Sequence, residues 1–296
     1  RAPGHERFFQ SNMMEATFGG GEANVAVSLA NYGMDAQYCT VLPDNAIGDE
    51  CIKELRRFGV DVSKIQRGPG RMGIYFLENG ANQLPSKVVY DRAYSATALA
   101  KPGDIDWDKV FEGVEWFHIT GITPAISESA MELSLESVKA AKAKGITVSC
   151  DLNYRKNLWK YGRNAAEVMR EMAKYVDVAV ANEEDVQKSL EITVDVNVES
   201  GELDLMFGFA HMEADCVMTD FLQRPFSLKK LKRAFSEWQE KLAGRAWNAL
   251  YLENHDHPRV ISRYGSERWR PESGKLLAAC YMLPQGTPFV LQGQEI

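Results

Sequence analysis

Short apolar runs and stretches of helical periodicity succeed one another along residues 19–150, and this succession limits the fold more than any other feature. The segment EANVAVSLANYG sets Val25, Val27, Leu29 and Ala30 at helical spacing and stops at Gly33, a residue suited to a helix C-terminus. AQYCTVLP reads as a strand, and DECIKELRRFGV as a second short helix ended by Gly59. MGIYFLENG and SKVVYDRA read as paired strands with an Asn-Gly turn between them. Then come the strand VEWFHITG, the helix MELSLESVKAAKAKG, the buried strand ITVSCDLN, the helix NAAEVMREMAKY and the strand-to-helix passage VDVAVANEED. Repetition at this spacing predicts a doubly wound α/β fold with a mostly parallel sheet, binding ligands at the carboxyl ends of its strands.

Composition sets the outer limits. The 296 residues suffice for one large α/β domain or two of ordinary size. With 45% hydrophobic and 25% charged residues, the chain can build a sizeable core. A net charge of −7 argues against general nucleic-acid binding, which needs a basic face for phosphates. No apolar run approaches the roughly 18 residues of a membrane span. The opening RAPGHERFFQ has neither an initiator Met nor an apolar signal core and reads as clipped. Cys39, Cys51, Cys150, Cys216 and Cys280 are scattered, with no CxxC pair, and read as reduced thiols of a cytoplasmic protein. The His residues are not clustered as zinc ligands would be, so no metal site is expected from them.

Two stretches carry candidate chemistry in the first two thirds. FGGGEANVA puts Gly19, Gly20 and Gly21 ahead of a helix with Asn24 in its first turn, where a bare backbone and free amides suit an anionic or hydroxyl-rich ligand. Taken alone, a ligand-free tight turn explains it equally well. CDLNYRKNLW places Asp151, Asn153 and Arg155 after a buried strand, and Arg155 has the geometry to pair bidentately with a carboxylate or phosphate. YDRAYSA adds Arg92 beside Tyr90, although isolated surface arginines are usually just solvated.

Together with LPDNAIGDECIKELRRFGVDV, GIYFLENGA, WFHITGITPAIS and ANEED, these motifs stand in the order and spacing of a known family. Residues 1–204 resemble a ribokinase-like (PfkB-type) sugar kinase, of the 2-keto-3-deoxygluconate kinase branch. The resemblance implies ATP-dependent phosphoryl transfer to a sugar acid, with Mg²⁺. It implies that Gly20, Gly21 and Asn24 hold sugar hydroxyls, and that Tyr75, Tyr90, Arg92, Asn153 and Arg155 hold the acyclic part and carboxylate. Asn182 and Asp185 match the family's N-x-x-E position, which helps organise Mg²⁺ and phosphate, with Asp in place of Glu. Glu22 stands where ribokinases proper carry Gly and places the chain in the keto-deoxygluconate branch. Such kinases pair as oligomers, so a homo-oligomer is a further implication. The family finishes with a G-A-G-D turn whose Asp is the catalytic base, and no G-A-G-D occurs in 1–296. Losing one oxyanion-type donor costs about 10²–10³ in rate. Losing base, anion hole and nucleotide pocket together implies near-abolition of turnover.

After Asp204 the texture changes. PFSLKKLKRAFSEWQEKLAG is an amphipathic helix with Leu228, Leu231, Phe235 and Trp238 at core-packing spacing. WNALYLENHD reads as a strand ending in Asn254-His255-Asp256, and GKLLAACYMLPQG and TPFVLQGQEI as helix then strand. A polar triplet at a strand's carboxyl end fits a (β/α)₈-barrel site, and equally a polar turn. With MFGFAHMEAD and QGQEI, these segments resemble the distal barrel of the α-amylase superfamily, in the oligo-1,6-glucosidase and trehalose-6-phosphate hydrolase branch, over residues 205–296. The resemblance implies that His255 contacts sugar hydroxyls and that Asp256 is the transition-state-stabilising carboxylate, with Arg259 in the same loop. Retaining hydrolysis needs a nucleophile and an acid about 5–5.5 Å apart, and the family's G-F-R-x-D nucleophile motif is absent, as are about six barrel strands. The expectation is therefore an incomplete ribokinase-like α/β region followed by a partial (β/α)₈ barrel. The seam lies near ESGELD, without a Gly/Ser/Pro linker. Three functions follow as alternatives: a sugar-acid kinase, an α-glucosidase-type hydrolase, or a non-catalytic chimera retaining weak sugar-acid binding, with uncovered strand edges.

Overall fold

The computed structural model describes residues 1–80, 85–191, 205–217, 219–223, 225–244, 247–254, 257–291 and 294. The chain divides into two compact units, Arg1–Val178 with Lys188–Glu191, and Ala179–Gln187 with Ile192–Ile296.

In the first unit, helix α1 (Gly21–Asn31) follows the glycine run and ends before Gly33, whose φ of +80° is the left-handed value that the sequence anticipates there. Strand β1 (Val41–Pro43) and strand β2 (Gln66–Gly68) pair in parallel across helix α2 (Ala46–Arg57). Asn45 starts α2, its side-chain oxygen accepting from the amides of Ile47 and Gly48 at 3.1 Å. AQYCTVLP thus yields a strand only in its last third. Strands β3 (Ile74–Glu78) and β4 (Lys87–Asp91) form the expected antiparallel pair, with Tyr75 opposite Tyr90. Their connection is longer than a two-residue turn and begins at Asn79, whose amide donates to Gly4 O at 3.0 Å. Ile74, Phe76, Val88 and Val89 of this hairpin are exposed.

Short helices α3 (Ala96–Leu99) and α4 (Trp107–Val110) lead into strand β5 (Trp116–Thr120). Trp107 stacks on Phe111 at 5.3 Å, and Phe111 meets Phe117 edge-on at 5.1 Å, docking α4 beside β5. Helix α5 (Glu128–Ala143) then crosses over to strand β6 (Thr147–Asp151), which runs parallel to β5. Val138 and Ala141 of α5 and Val148 and Cys150 of β6 are wholly buried. Burying a side chain the size of Val148 stabilises the fold by about 1.5–3 kcal/mol. Helix α6 (Ala165–Ala173), capped by Asn164, leads to strand β7 (Val178–Val180) and helix α7 (Glu183–Leu190), both of which the boundary between the units divides.

The second unit holds β8 (Leu205–Phe207), β9 (Cys216–Val217), β10 (Thr219–Gln223), α8 (Leu228–Leu242), β11 (Trp247–Leu250), α9 (Val260–Tyr264), α10 (Arg270–Met282) and β12 (Thr287–Pro288). Strand β11 is central and parallel to both β8 and β12, so three strands lie side by side in chain order with helices between them. A closed barrel is not among the described residues. Among the described residues of TPFVLQGQEI, expected as a strand, Thr287 and Pro288 form the pairing with β11. The core gathers Leu231, Leu250, Leu252, Val260, Leu277 and Tyr281, with Phe235 packed against it. Leu228 was expected in that core and is instead exposed. It is the first residue of α8, ahead of the turns that the sheet covers.

Candidate functional site

The first unit brings one set of predicted residues to the carboxyl ends of β5 and β6. Gly20 precedes α1 with φ +148°, a value that L side chains rarely adopt. A Cβ placed on Gly21 would lie 3.3 Å from Thr120 Cγ2, and one on Gly19 would lie 3.6 Å from the Tyr75 hydroxyl. The glycine run therefore sits against the end of β5 on one side and meets Tyr75 of the hairpin on the other. Asn24 is exposed in the first turn of α1, its amide bonded to Gly20 O at 2.8 Å.

Across the sheet, Thr120 is paired with Asp151, and Gly121 N donates to Asp151 O at 2.8 Å. Two residues on, Asn153 adopts φ +39° and donates to Asp151 Oδ2 at 3.2 Å, while its own Oδ1 is buried without a partner. A buried, unsatisfied amide oxygen on a left-handed residue is costly, and such features cluster where a ligand completes the bonding.

Both predicted cations stand near these elements without a carboxylate partner among the described residues. The Arg92 guanidinium lies 5.1 Å over the Tyr90 ring, and exposed Arg155 donates to Tyr154 O at 2.9 Å. Arg92 follows β4 and Arg155 follows β6, so the hairpin and the sheet each contribute one positive group.

Three residues to which the motif reading gave no contact complete this end of the sheet, Glu22 having been read as a mark of the branch alone. The Glu22 carboxylate accepts from the hydroxyls of Thr120 and Thr123, both at 2.8 Å, and from Thr120 N at 3.3 Å. The T-G-x-T spacing within WFHITGITPAIS was the available signal. Deeper in the sheet, His118 Nδ1 lies 2.8 Å from Ser149 Oγ, which also accepts from Trp116 Nε1 at 2.7 Å. Burial holds the His118 imidazole below its ordinary value, against the pull of the Glu22 charge.

Asn182 and Asp185 lie in the second unit. Asn182 Oδ1 accepts from Asp185 N at 2.8 Å, a helix-capping role at the start of α7, and Asp185 is buried. No group of three His, Cys, Asp or Glu that could hold a metal ion exists among the described residues.

His255 and Asp256 lie outside the described residues. Their neighbours are ordered by side-chain contacts: Asn254 Oδ1 lies 2.7 Å from His257 Nδ1, and buried Glu253 accepts from Arg259 Nη1 at 2.7 Å and Val260 N at 2.9 Å. Upstream, His211 is buried between the Phe235 ring, stacked at 5.4 Å, and Tyr251, edge-on at 4.6 Å. Burial lowers its pKa to about 4.

The chain belongs to the pfkB family of carbohydrate kinases, whose family model matches residues 7–199, and to the α-amylase catalytic-domain family, whose model matches residues 141–296. Among its relatives is the 2-dehydro-3-deoxygalactonokinase of Haloferax volcanii, 35% identical over 70% of this chain and 64% of the relative. Another is the oligo-1,6-glucosidase of Parageobacillus thermoglucosidasius, 38% identical over 44% of this chain and 24% of the relative. The crystal structure of 2-dehydro-3-deoxygluconokinase from Thermotoga maritima superposes with a TM-score of 0.62 at 51% identity, covering 65% of this chain and 59% of that one. The chain thus spans less than two thirds of each kinase and about a quarter of the glucosidase. Among the described residues, no helix is long and apolar enough to cross a membrane.

Proposed function

We propose that residues 1–204 form a sugar-acid site of the 2-keto-3-deoxygluconate kinase type, joined to an α-amylase-superfamily segment, residues 205–296, in a chimera of two incomplete enzymes. The observation that carries this reading is the seating of the Gly20–Gly21 turn on the carboxyl end of β5, with the Tyr75 hydroxyl at Gly19. That arrangement offers amides and a phenol to sugar hydroxyls, while Arg92 and Arg155 supply cations for a carboxylate. Asn153, with its unsatisfied buried oxygen, is a further hydroxyl acceptor.

Phosphoryl transfer depends on a positioned base, amides and cations. ATP with Mg²⁺ is the family's phosphoryl donor, and residues 1–296 contain no G-A-G-D. The reading is therefore a cytoplasmic protein that binds a sugar acid and does not turn it over, with self-pairing as an expectation from the kinase family. Purified 1–296 should gain thermal stability with 2-keto-3-deoxygluconate and show no ATP-dependent phosphorylation above a buffer control. Turnover within about a hundredfold of an ordinary kinase, at about 1–100 s⁻¹, would remove the argument from the missing base.

A glucosidase reading draws on the in-order parallel strands β8, β11 and β12, which is how consecutive barrel strands lie. Hydrolysis of an α-1,6-linked glucoside by purified 1–296 would establish it over the binding-only reading.

A further inference from the structure

Helix α1 begins without a local cap: Gly20 has no side chain, and no side-chain hydrogen bond closes the helix end. Three consecutive glycines give that turn more conformational freedom than any other sequence would. Yet it must hold one geometry if its amides are to meet a ligand, because an error of about 1 Å is enough to spoil such a site. Among residues 19–24, the side-chain hydrogen bonds all come from Glu22. They reach 98 and 101 positions along the chain, to Thr120 and Thr123.

The far side of this contact is rigid. Thr120 is buried at the end of β5, and its hydroxyl also accepts from Ile122 N at 3.3 Å, which orients the proton it donates to Glu22. Gly21 packs against the Thr120 methyl closely enough that a Cβ would be crowded, at 3.3 Å. The carboxylate also lies in the first turn of α1, where the helix dipole favours negative charge.

We propose that Glu22 is a positioning residue for the sugar-acid site, latching the first turn of α1 onto Thr120 and Thr123 and so fixing where Gly20, Gly21 and Asn24 present themselves to the hydroxyls of the substrate. This rests on the sugar-acid reading above for its functional consequence, while the latch itself stands on the hydrogen bonds.

The test compares Glu22→Ala, which removes the acceptor, with Glu22→Gln, which keeps a neutral acceptor of the same length. Titration calorimetry with 2-keto-3-deoxygluconate reads affinity, and amide hydrogen exchange of residues 20–25 reads the turn without any ligand. Glu22→Ala should weaken binding about tenfold and speed exchange about tenfold, and Glu22→Gln should restore most of both. Wild-type affinity and wild-type exchange in Glu22→Ala would overturn the proposal. Weakened binding without faster exchange would also overturn it, assigning Glu22 to direct contact instead. If wild-type protein binds no sugar acid, the sugar-acid reading fails, and the exchange arm still decides the latch. Should Glu22→Ala not fold, the double variant Thr120→Val, Thr123→Val removes the donors and leaves α1 intact, with the same outcomes expected.

Discussion

Arg263 lays its guanidinium against the carboxylate of Asp215, 48 residues earlier, with Nε 2.9 Å from Oδ2, and both side chains are nearly enclosed, at 8% and 11% exposure. The same guanidinium donates to Met212 O at 2.7 Å and stacks over Tyr264 at 5.0 Å. Burial, the largest single influence, pushes the Asp215 carboxyl up, but the hydrogen bonds from Arg263 and Cys216 and the Arg263 charge together hold the group below its usual range. Breaking one side of such a pair leaves a buried charge alone. Arg263→Met should cost about 3–5 kcal/mol, and adding Asp215→Leu should recover most of it. Urea denaturation of the two variants checks this, and equal losses in both would contradict it.

His211 ties stability to pH. Burial lowers its imidazole from the ordinary 6.5 to about 4, helped by the nearby charges of Arg263 and His257 and opposed by a backbone hydrogen bond at Tyr251. A base with a depressed folded value stabilises fully above its unfolded value. That stability is lost as pH falls from about 6.5 to about 4, roughly 3 kcal/mol in all. The Asp215 contribution fades at still lower pH, because its folded value lies below the ordinary 3.8. Urea midpoints should therefore fall between pH 6.5 and 4 in wild type and flatten in His211→Gln; an unchanged slope would acquit the histidine.

At the sugar-acid site, Arg155→Ala should abolish the thermal shift produced by 2-keto-3-deoxygluconate, and Arg92→Ala should reduce it. Both guanidiniums lack a carboxylate partner among the described residues, so their removal should leave the unliganded unfolding free energy within the range of a surface change, about 0.5 kcal/mol. A shift that survives Arg155→Ala would take that residue out of the site.

Gly121 should tolerate nothing larger. A Cβ there would lie 2.2 Å from Leu152 O, a backbone atom that cannot swing aside. Gly121→Ala should push apart the carboxyl ends of β5 and β6, lowering stability by about 1–3 kcal/mol and weakening sugar-acid binding with it. Retained affinity with lowered stability would separate this close approach from the site.

Much of this architecture was legible because its signals are local. Gly33, Gly59 and Gly145 each take the positive φ that ends a helix, and all three stood at the ends of periodic stretches. The antiparallel pairing of β3 with β4 followed from two β-rich runs, while the two-residue Asn-Gly turn expected between them is replaced by a longer connection. What escaped the reading depends on chain segments far apart. Glu22 meets Thr120 and Thr123 only because α1 packs on the end of β5, and Arg263 meets Asp215 only once α9 lies beside Cys216. Leu228 obeyed the helical period but stands in the first turn of α8, and periodicity cannot say how far along a helix the neighbouring sheet extends.

Cys150 is completely enclosed in β6, and Cys216 is nearly so in β9, one thiol in each compact unit. Burial drives the Cys150 thiol far up, so it is inert while its sheet is closed. Each sulfur is therefore a clock for its own unit: a thiol-trapping reagent reaches it only during an opening. Following the two modification rates in one sample under native conditions, by mass spectrometry of the peptides, measures whether the kinase-like and amylase-like parts open together or separately. It does so without a mutation or a substrate.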